Sequence, residues 1–232
     1  MSIWAPLTPE EWQAARLSLQ VASVAALVSA PFAVAAAYAL SRPAFFGKTV
    51  LDALIHAPLV LPPVVIGYLL LLTFGVKGAV GGWLYETFGV RFIFNWTGAA
   101  LAAGVVSFPL QVRAIRLAME AVDPRVVAAA ESLGAGPVDR FFTIVLPLAL
   151  PGVAAGVITG FAAGLGEFGA VITFASNIPG ETRTLPLAIY TSLQTPGGEA
   201  AAARLAALSI ALAIGGLAVA EVVARRLRAR LA

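Results

Sequence analysis

Five stretches of this sequence are each nearly or fully long enough, and apolar enough, to cross a lipid bilayer. A membrane-spanning helix needs about 20 mostly apolar residues to cover roughly 30 Å of hydrocarbon. The stretches run over about 17–40, 53–74, 97–112, 146–163 and 205–223, and the fourth has apolar material continuing toward 175. The first holds no charged residue at all. Runs this long and this rich in Ala, Leu and Val favour helix. The ten-residue alternation of a strand barrel is absent from the sequence. The expected fold is therefore all-α: a polytopic membrane protein of about five transmembrane helices, forming a single domain over 1–232.

Composition narrows the function classes. Sixty per cent of the residues are hydrophobic and 12% charged, where soluble domains carry about 25% charged residues. That excludes a disordered chain, a nucleic-acid-binding arm and an ordinary soluble enzyme. Without cysteine there is no disulfide frame, thiolate metal site or Cys nucleophile. A single histidine leaves little for a metal centre, and no metal site is expected. The net charge of +3 does not point to nucleic acid, because the cations sit at the ends of apolar runs and not in a patch with aromatics.

Those cations set an orientation. Counted on alternate sides of the five spans, Arg42, Lys48, Arg113, Arg116, Arg125, Arg140, Arg225, Arg226, Arg228 and Arg230 fall on one side. Arg16, Lys77, Arg91, Arg183 and Arg204 fall on the other. Ten against five places the N-terminus outside and the C-terminus in the cytoplasm. The opening MSIWAPLTPEEWQAAR has acids where a secretory signal would be basic. It reads as an interfacial segment anchored by Trp4 and Trp12.

Within the spans, Gly152, Gly156, Gly160 and Gly164 recur every four residues and line one helix face. Such a groove admits another helix backbone closely, or lines a pathway or subunit interface. Pro58, Pro62 and Pro63 each remove a backbone donor, so the second span should kink where protein or water covers the freed carbonyls. Pro31 and Pro109 act similarly in the first and third spans.

The loop over 121–145 is the most informative stretch. Asp123 and Pro124 read as N-cap and first position of a helix. Val126, Val127, Ala130 and Leu133 form an apolar stripe, and Gly134 suits a left-handed C-terminal cap. Pro137 can open a second short helix, after which Phe141 and Phe142 return the chain to the membrane. This helix–turn–helix resembles the "EAA" loop of ABC importer permeases, in which an EAA is followed by three residues, Gly, nine residues and I-x-L-P. Here Ala129 and Ala130 are followed by Gly134, and then by Ile144, Leu146 and Pro147 at the expected spacing. Ala128 replaces the usual Glu, while Glu131 stands three positions on.

The similarity extends over essentially the whole chain and is nearest to permease subunits of molybdate ABC importers, a type I importer fold. It is carried by the segments ALIHAPLVLPPVVIGYLLL, SFPLQVRAIRLAMEAVD, LGEFGAVITFASNIPGETRTLPLAIY and QTPGGE. The resemblance implies a homodimer in the bacterial inner membrane that translocates molybdate at the subunit interface. It implies two cytoplasmic ATPase subunits docked on the EAA loop, and a periplasmic protein that delivers the anion. ATP and Mg²⁺ would then belong to the ATPases, and this chain would hold no cofactor and not be an enzyme. A sulfate, thiosulfate or tungstate permease shares that architecture. An intramembrane enzyme would need paired acids, a Ser–base set or metal ligands inside the spans, and none stands out. A non-transport membrane module leaves the loop spacing unexplained. Gly47-Lys48-Thr49 ends like a phosphate-binding loop, but Arg42 stands where its first Gly should be.

The stretch 165–199 alternates apolar pieces with polar turns, which suggests a broken fourth helix and a short outward gate helix near 185–193. Glu167, Phe168 and Arg183 fall in this gate region. A dianion would be repelled by Glu167, so a bracing or gate hydrogen bond is expected there instead of ligation. Arg183 has the sign to steer an oxyanion or pair with the delivering protein, or is a loop charge beside Glu181. His56 reads as a packed interfacial histidine without partners, Asp52 as a loop residue, and Glu221–Arg225 as a helix pair.

Overall fold

The computed structural model describes residues 6–42 and 44–231, which are helical with no strand among them. Trp4 lies outside the described residues, as do the side chains of Arg228 and Arg230. Helix α1 (Pro9–Ser41) opens with a capping box. The Thr8 hydroxyl accepts from the Glu11 amide at 3.3 Å, and the Glu11 carboxylate accepts from the Thr8 amide at 2.8 Å. Trp12 stands 60% exposed on the first turn.

The second span differs from expectation. It is two helices, α2 (Lys48–Val60) and α3 (Pro63–Phe74), bent by 116° at the break between them. Leu61 and Pro62 both precede a proline, which disfavours helical backbone there; their ψ values of 140° and 134° are extended. Two adjacent prolines thus break the helix where one kink was expected. By contrast, Pro31 and Pro109 interrupt neither α1 nor α5. Asp52 lies inside α2 and not in a loop.

Helix α4 (Ala79–Phe88) has no counterpart in the sequence-based expectation. It folds back on the end of α3, with Gly81 against the carbonyls of Phe74 and Gly75. Helix α5 (Trp96–Glu120) starts at Asn95, whose side-chain oxygen accepts from the amides of Thr97 and Gly98. Then come α6 (Pro124–Ser132) and α7 (Pro137–Arg140), followed by one π-helical turn over Phe141–Val145 that leads without a break into α8 (Leu146–Leu165). The fourth span therefore begins at Pro137 and not near Leu146. Pro147 explains the widened turn: it has no N–H for the Thr143 carbonyl and its ring crowds that group. The register shifts so that the Leu146 amide donates to Phe141 O. Helices α9 (Gly169–Phe174), α10 (Leu185–Gln194) and α11 (Glu199–Leu231) complete the chain.

Four helices are long and apolar enough to span a membrane, five if the bent pair counts as one. Helix α5 is the most buried of them, 61% of its apolar window against 11–33% for the others, and packs between α1 and α8. Alanines make these contacts close. Ala99, Ala102 and Ala103 of α5 and Ala22, Ala25 and Ala33 of α1 are almost fully buried. Small residues serve this purpose where lipid offers no hydrophobic force between helices.

The four-residue glycine stripe faces inward, onto α5 and α1. A Cβ at Gly152 would strike Ala118, one at Gly156 would lie 2.7 Å from Ile115, and one at Gly160 would overlap the Gln111 amide. Gly164 approaches Ala22 and Ala103. The stripe is helix packing in the body of the subunit. Gly160→Ala should destabilise the fold by about 1–3 kcal/mol through overpacking, because it displaces Gln111 from its 2.7 Å bond to Ser29. An unfolding midpoint in detergent equal to that of the parent would contradict this contact.

Candidate functional site

Two helix interruptions meet side by side. The first is the α2–α3 break at Leu61–Pro62. The second is the α8–α9 break, where α8 ends at Leu165 and α9 starts at Gly169. A Cβ on Gly169 would lie 2.9 Å from Pro63 Cβ and 3.4 Å from the Val64 amide, and one on Gly67 would lie 2.8 Å from the Ala170 carbonyl. Only glycine lets α3 and α9 approach so closely. Interrupted backbone at membrane depth is tolerated where protein or a water-filled cavity covers it, and paired half-helices of this kind surround binding sites in several transporter folds.

Glu167 sits in the second break, 8% exposed. Its Oε1 accepts from the Ala170 amide at 2.8 Å, capping the first turn of α9. Phe168, beside it, packs its ring 5.2 Å from Tyr190 of α10. The structure thus brings Pro62, Pro63, Glu167 and Phe168 to one junction, in which Glu167 acts as a brace. Glu167→Ala should cost about 1–3 kcal/mol by leaving the buried Ala170 amide unsatisfied, and Glu167→Gln, which keeps an acceptor oxygen, much less. Equal losses in thermal unfolding for both variants would contradict the capping role.

Arg183 belongs to a different setting. Its Nε donates to Asn177 Oδ1 at 3.0 Å, so its partner is Asn177 and not Glu181. Asn177 in turn donates to Thr191 on α10, and the buried Thr182 hydroxyl ties Ser176 O to the Ile178 amide. The loop before α10 is a compact cap, pinned to α1 where the Ser18 hydroxyl accepts from the Leu185 amide at 2.6 Å.

The helix–turn–helix at the other end of the bundle is well formed and uncovered. Asp123 accepts from the Arg125 amide at 2.8 Å, and Pro124 follows as the first helical residue. Gly134 has φ +90°. Its amide donates to Glu131 O and that of Ala135 to Ala130 O, both at 3.0 Å, the paired bonds of a Schellman cap. A Cβ at Gly134 would meet nothing within 4 Å, so backbone conformation alone calls for glycine. Glu131 pairs with Arg140 at 2.5 Å and braces α6 against α7. Val127 and Ala130 turn partly inward, whereas Val126 is 45% and Leu133 89% exposed. The expected stripe is thus split between two faces. No residue of α6 is buried. Ile144, Leu146 and Pro147 lie half-buried in the π-helical turn and the start of α8, and that turn meets α6 in the fold.

No group of three or more His, Cys, Asp or Glu side chains able to hold a metal occurs among the described residues. What the geometry offers is a broken-helix junction in one region and an uncovered, capped helix in another.

Residues 29–229 match the model of the family described as binding-protein-dependent transport system inner membrane component. The chain belongs to this family. It is a multi-pass inner-membrane transport component, in keeping with its apolar helices. It is 58% identical over 224 residues to the molybdenum transport system permease protein ModB of Escherichia coli K12, covering 97% of this chain and 98% of that one. It is 52% identical to ModB of Haemophilus influenzae, over 95% and 96% of the two chains. The sulfate transport system permease protein CysT of E. coli K12 is more distant, at 37% over 90% and 76%. Among solved structures, a bacterial ABC transporter that imports the acidic polysaccharide alginate matches with a TM-score of 0.71 at 18% identity, over 95% of this chain and 80% of that one. An amino acid ABC transporter matches at 0.66 and 18%, over 94% of each chain. These two show the shared fold.

Several residues of this family member escaped the sequence reading. Gln111, fully buried in the middle of α5, bonds Ser29 of α1; a polar residue inside a span was its only signal. Glu11 and Arg204 form a buried ion pair at 2.8 Å. His56 does have a partner: its Nδ1 lies 2.9 Å from Asp52 O and 3.1 Å from Asp52 Oδ1. The Arg225 Nε donates to Glu221 at 2.7 Å, as the four-residue spacing suggested.

Proposed function

We propose that the chain is the membrane-spanning subunit of an ATP-driven importer of molybdate. The 58% identity to a molybdenum permease over nearly the full length of both chains carries this reading. Two copies pair, and the anion crosses between them beside the α2–α3 and α8–α9 breaks. The N-terminus is outside and the C-terminus cytoplasmic, which puts α6 and α7 in the cytoplasm and the cap before α10 outside. A periplasmic binding protein hands over the anion at that outer cap, where the half-buried Arg183 supplies positive charge. A family built around binding-protein-dependent transport supports this partner.

Two ATPase subunits dock on the loop formed by Asp123, Pro124, Ala129, Ala130, Glu131, Gly134, Ile144, Leu146 and Pro147. The support for docking is physical. Helix α6 is capped at both ends and internally braced, yet buries nothing of its own. ATP and Mg²⁺ bind to those subunits, and this chain contributes gating without a cofactor. Switching between two packings of the spans, driven by the partner's ATP cycle, needs no chemistry in the permease.

The assembled complex in nanodiscs tests the reading through its rate of ATP hydrolysis. Molybdate-loaded binding protein should stimulate hydrolysis several-fold, and sulfate should not substitute for molybdate. Equal stimulation by sulfate would overturn the molybdate assignment.

A further inference from the structure

Helix α2 is held to the bundle in an unusual way. None of its residues is buried, and two cavities separate it from its neighbours. One, of about 630 Å³, is apolar and lies between α1, α2 and α5, lined by Phe32, Leu54, Ile55, Pro58 and Phe108 among others. The other, of about 530 Å³, lies nearer the α6 end and is lined by Asp52, His56, Arg113, Arg116 and Glu120. Leu51 and Ile55 of α2 pack against the cluster around Val112 and Ile115, yet neither is buried, and the 116° break at Leu61–Pro62 is the point about which α2 could turn.

The link across this gap is polar. Arg116 Nη1 of α5 donates to Asp52 Oδ1 of α2 at 3.3 Å, while its Nε donates to Glu120 Oε1 at 2.7 Å. His56 Nδ1 lies 3.1 Å from the same Asp52 oxygen. The two bonds of Arg116 are unequal. The shorter stays within α5, so the guanidinium keeps a carboxylate partner if α2 moves away. Asp52 has a side chain 41% exposed and can turn to water. Neither charge is stranded by opening, which is what a reversible contact requires.

Position gives the contact its meaning. Glu120 is the last residue of α5, and Asp123, the N-cap of α6, follows three residues later. Arg116 lies one helical turn before the end of α5, and the short turn over 121–123 joins that end to α6.

We propose that Arg116 and Asp52 form a clasp that holds α2 against α5 and opens during each transport cycle. Arg116 is then a positioning residue that links the docking helix to the hinged helix α2. This rests on the importer reading above. Coupling of this kind needs an element with two arrangements that both sites bias, and α2 is that element.

The test uses the whole complex with its ATPase and binding protein in proteoliposomes. The chain contains no cysteine, so Ala53→Cys with Leu117→Cys introduces its only thiols; both positions line the polar cavity. A short bifunctional methanethiosulfonate joining them should reduce ATP-driven molybdate uptake at least tenfold, and dithiothreitol should restore it. Asp52→Asn should raise ATP hydrolysis without binding protein at least threefold and lower uptake per ATP, and Asp52→Glu should return both toward the parent. Uptake that continues at the parental rate with the bridge in place, or Asp52→Asn and Asp52→Glu coupling ATP to uptake equally well, overturns the clasp. Absence of ATP-driven uptake in the unbridged parent complex would instead overturn the importer reading, so the two failures are distinguishable.

Discussion

Glu11→Ala is expected to destabilise the subunit by about 3–5 kcal/mol, the usual cost of removing one partner from a buried ion pair. Glu11 and Arg204 have side chains only 7% and 5% exposed and meet at 2.8 Å. The same carboxylate also accepts from the Thr8 amide, closing the capping box of α1. One side chain therefore starts α1 and ties it to α11, next to the cluster formed by Ala14, Ala15, Leu185, Ala188 and Leu205. The two contributions separate experimentally. Glu11→Ala with Arg204→Leu removes both charges and should recover most of the loss, leaving about 1 kcal/mol for the missing cap. Thermal unfolding of the detergent-solubilised protein reads both variants. If the double variant is no more stable than Glu11→Ala alone, the ion pair is not the source of the effect.

Leu133→Asp combined with Val126→Asp is expected to abolish ATP-driven uptake while leaving the subunit folded. Both side chains point away from the bundle, and Leu133 is nearly fully exposed. Surface substitutions away from packing features change stability by only about 0.5 kcal/mol. Against an apolar docking groove the same carboxylates would be desolvated without partners, which is strongly unfavourable. The expected result is a monodisperse permease that no longer co-purifies with the ATPase. Glu131→Ala tests the neighbouring brace and should weaken docking less, since it loosens α6 from Arg140 without altering the exposed face. Co-purification of the ATPase with the doubly substituted chain at the parental yield would place docking elsewhere.

Much of the fold was legible because hydrophobicity and capping are local. The long apolar runs marked α1, α5, α8 and α11, and Asp123, Pro124 and Gly134 marked both ends of α6. The π-helical turn was not legible, because a proline such as Pro147 equally well opens a helix. The α2–α3 break was half legible: three prolines announced a disturbance, but a 116° turn depends on how α3 then packs on α9. Helix α4 was not expected, since its ten residues are short for a span and take their place from contacts with α3. Partners distant in sequence stayed hidden. Nothing local joins Glu11 to Arg204, the glycine stripe to α5, or Asp52 to Arg116. For Glu167 a bracing or gate hydrogen bond was the expectation, and which amide it caps depends on where α8 stops.

Uptake of radiolabelled molybdate into proteoliposomes tests the central claim most directly. The vesicles contain this chain and its ATPase, ATP is supplied on the ATPase side, and the binding protein is added on the other. Molybdate should accumulate against its gradient, only when ATP, ATPase and binding protein are all present, and a large excess of sulfate should not displace it. Accumulation at the same rate without the ATPase would contradict the claim that this chain is the gate of an ATP-driven importer.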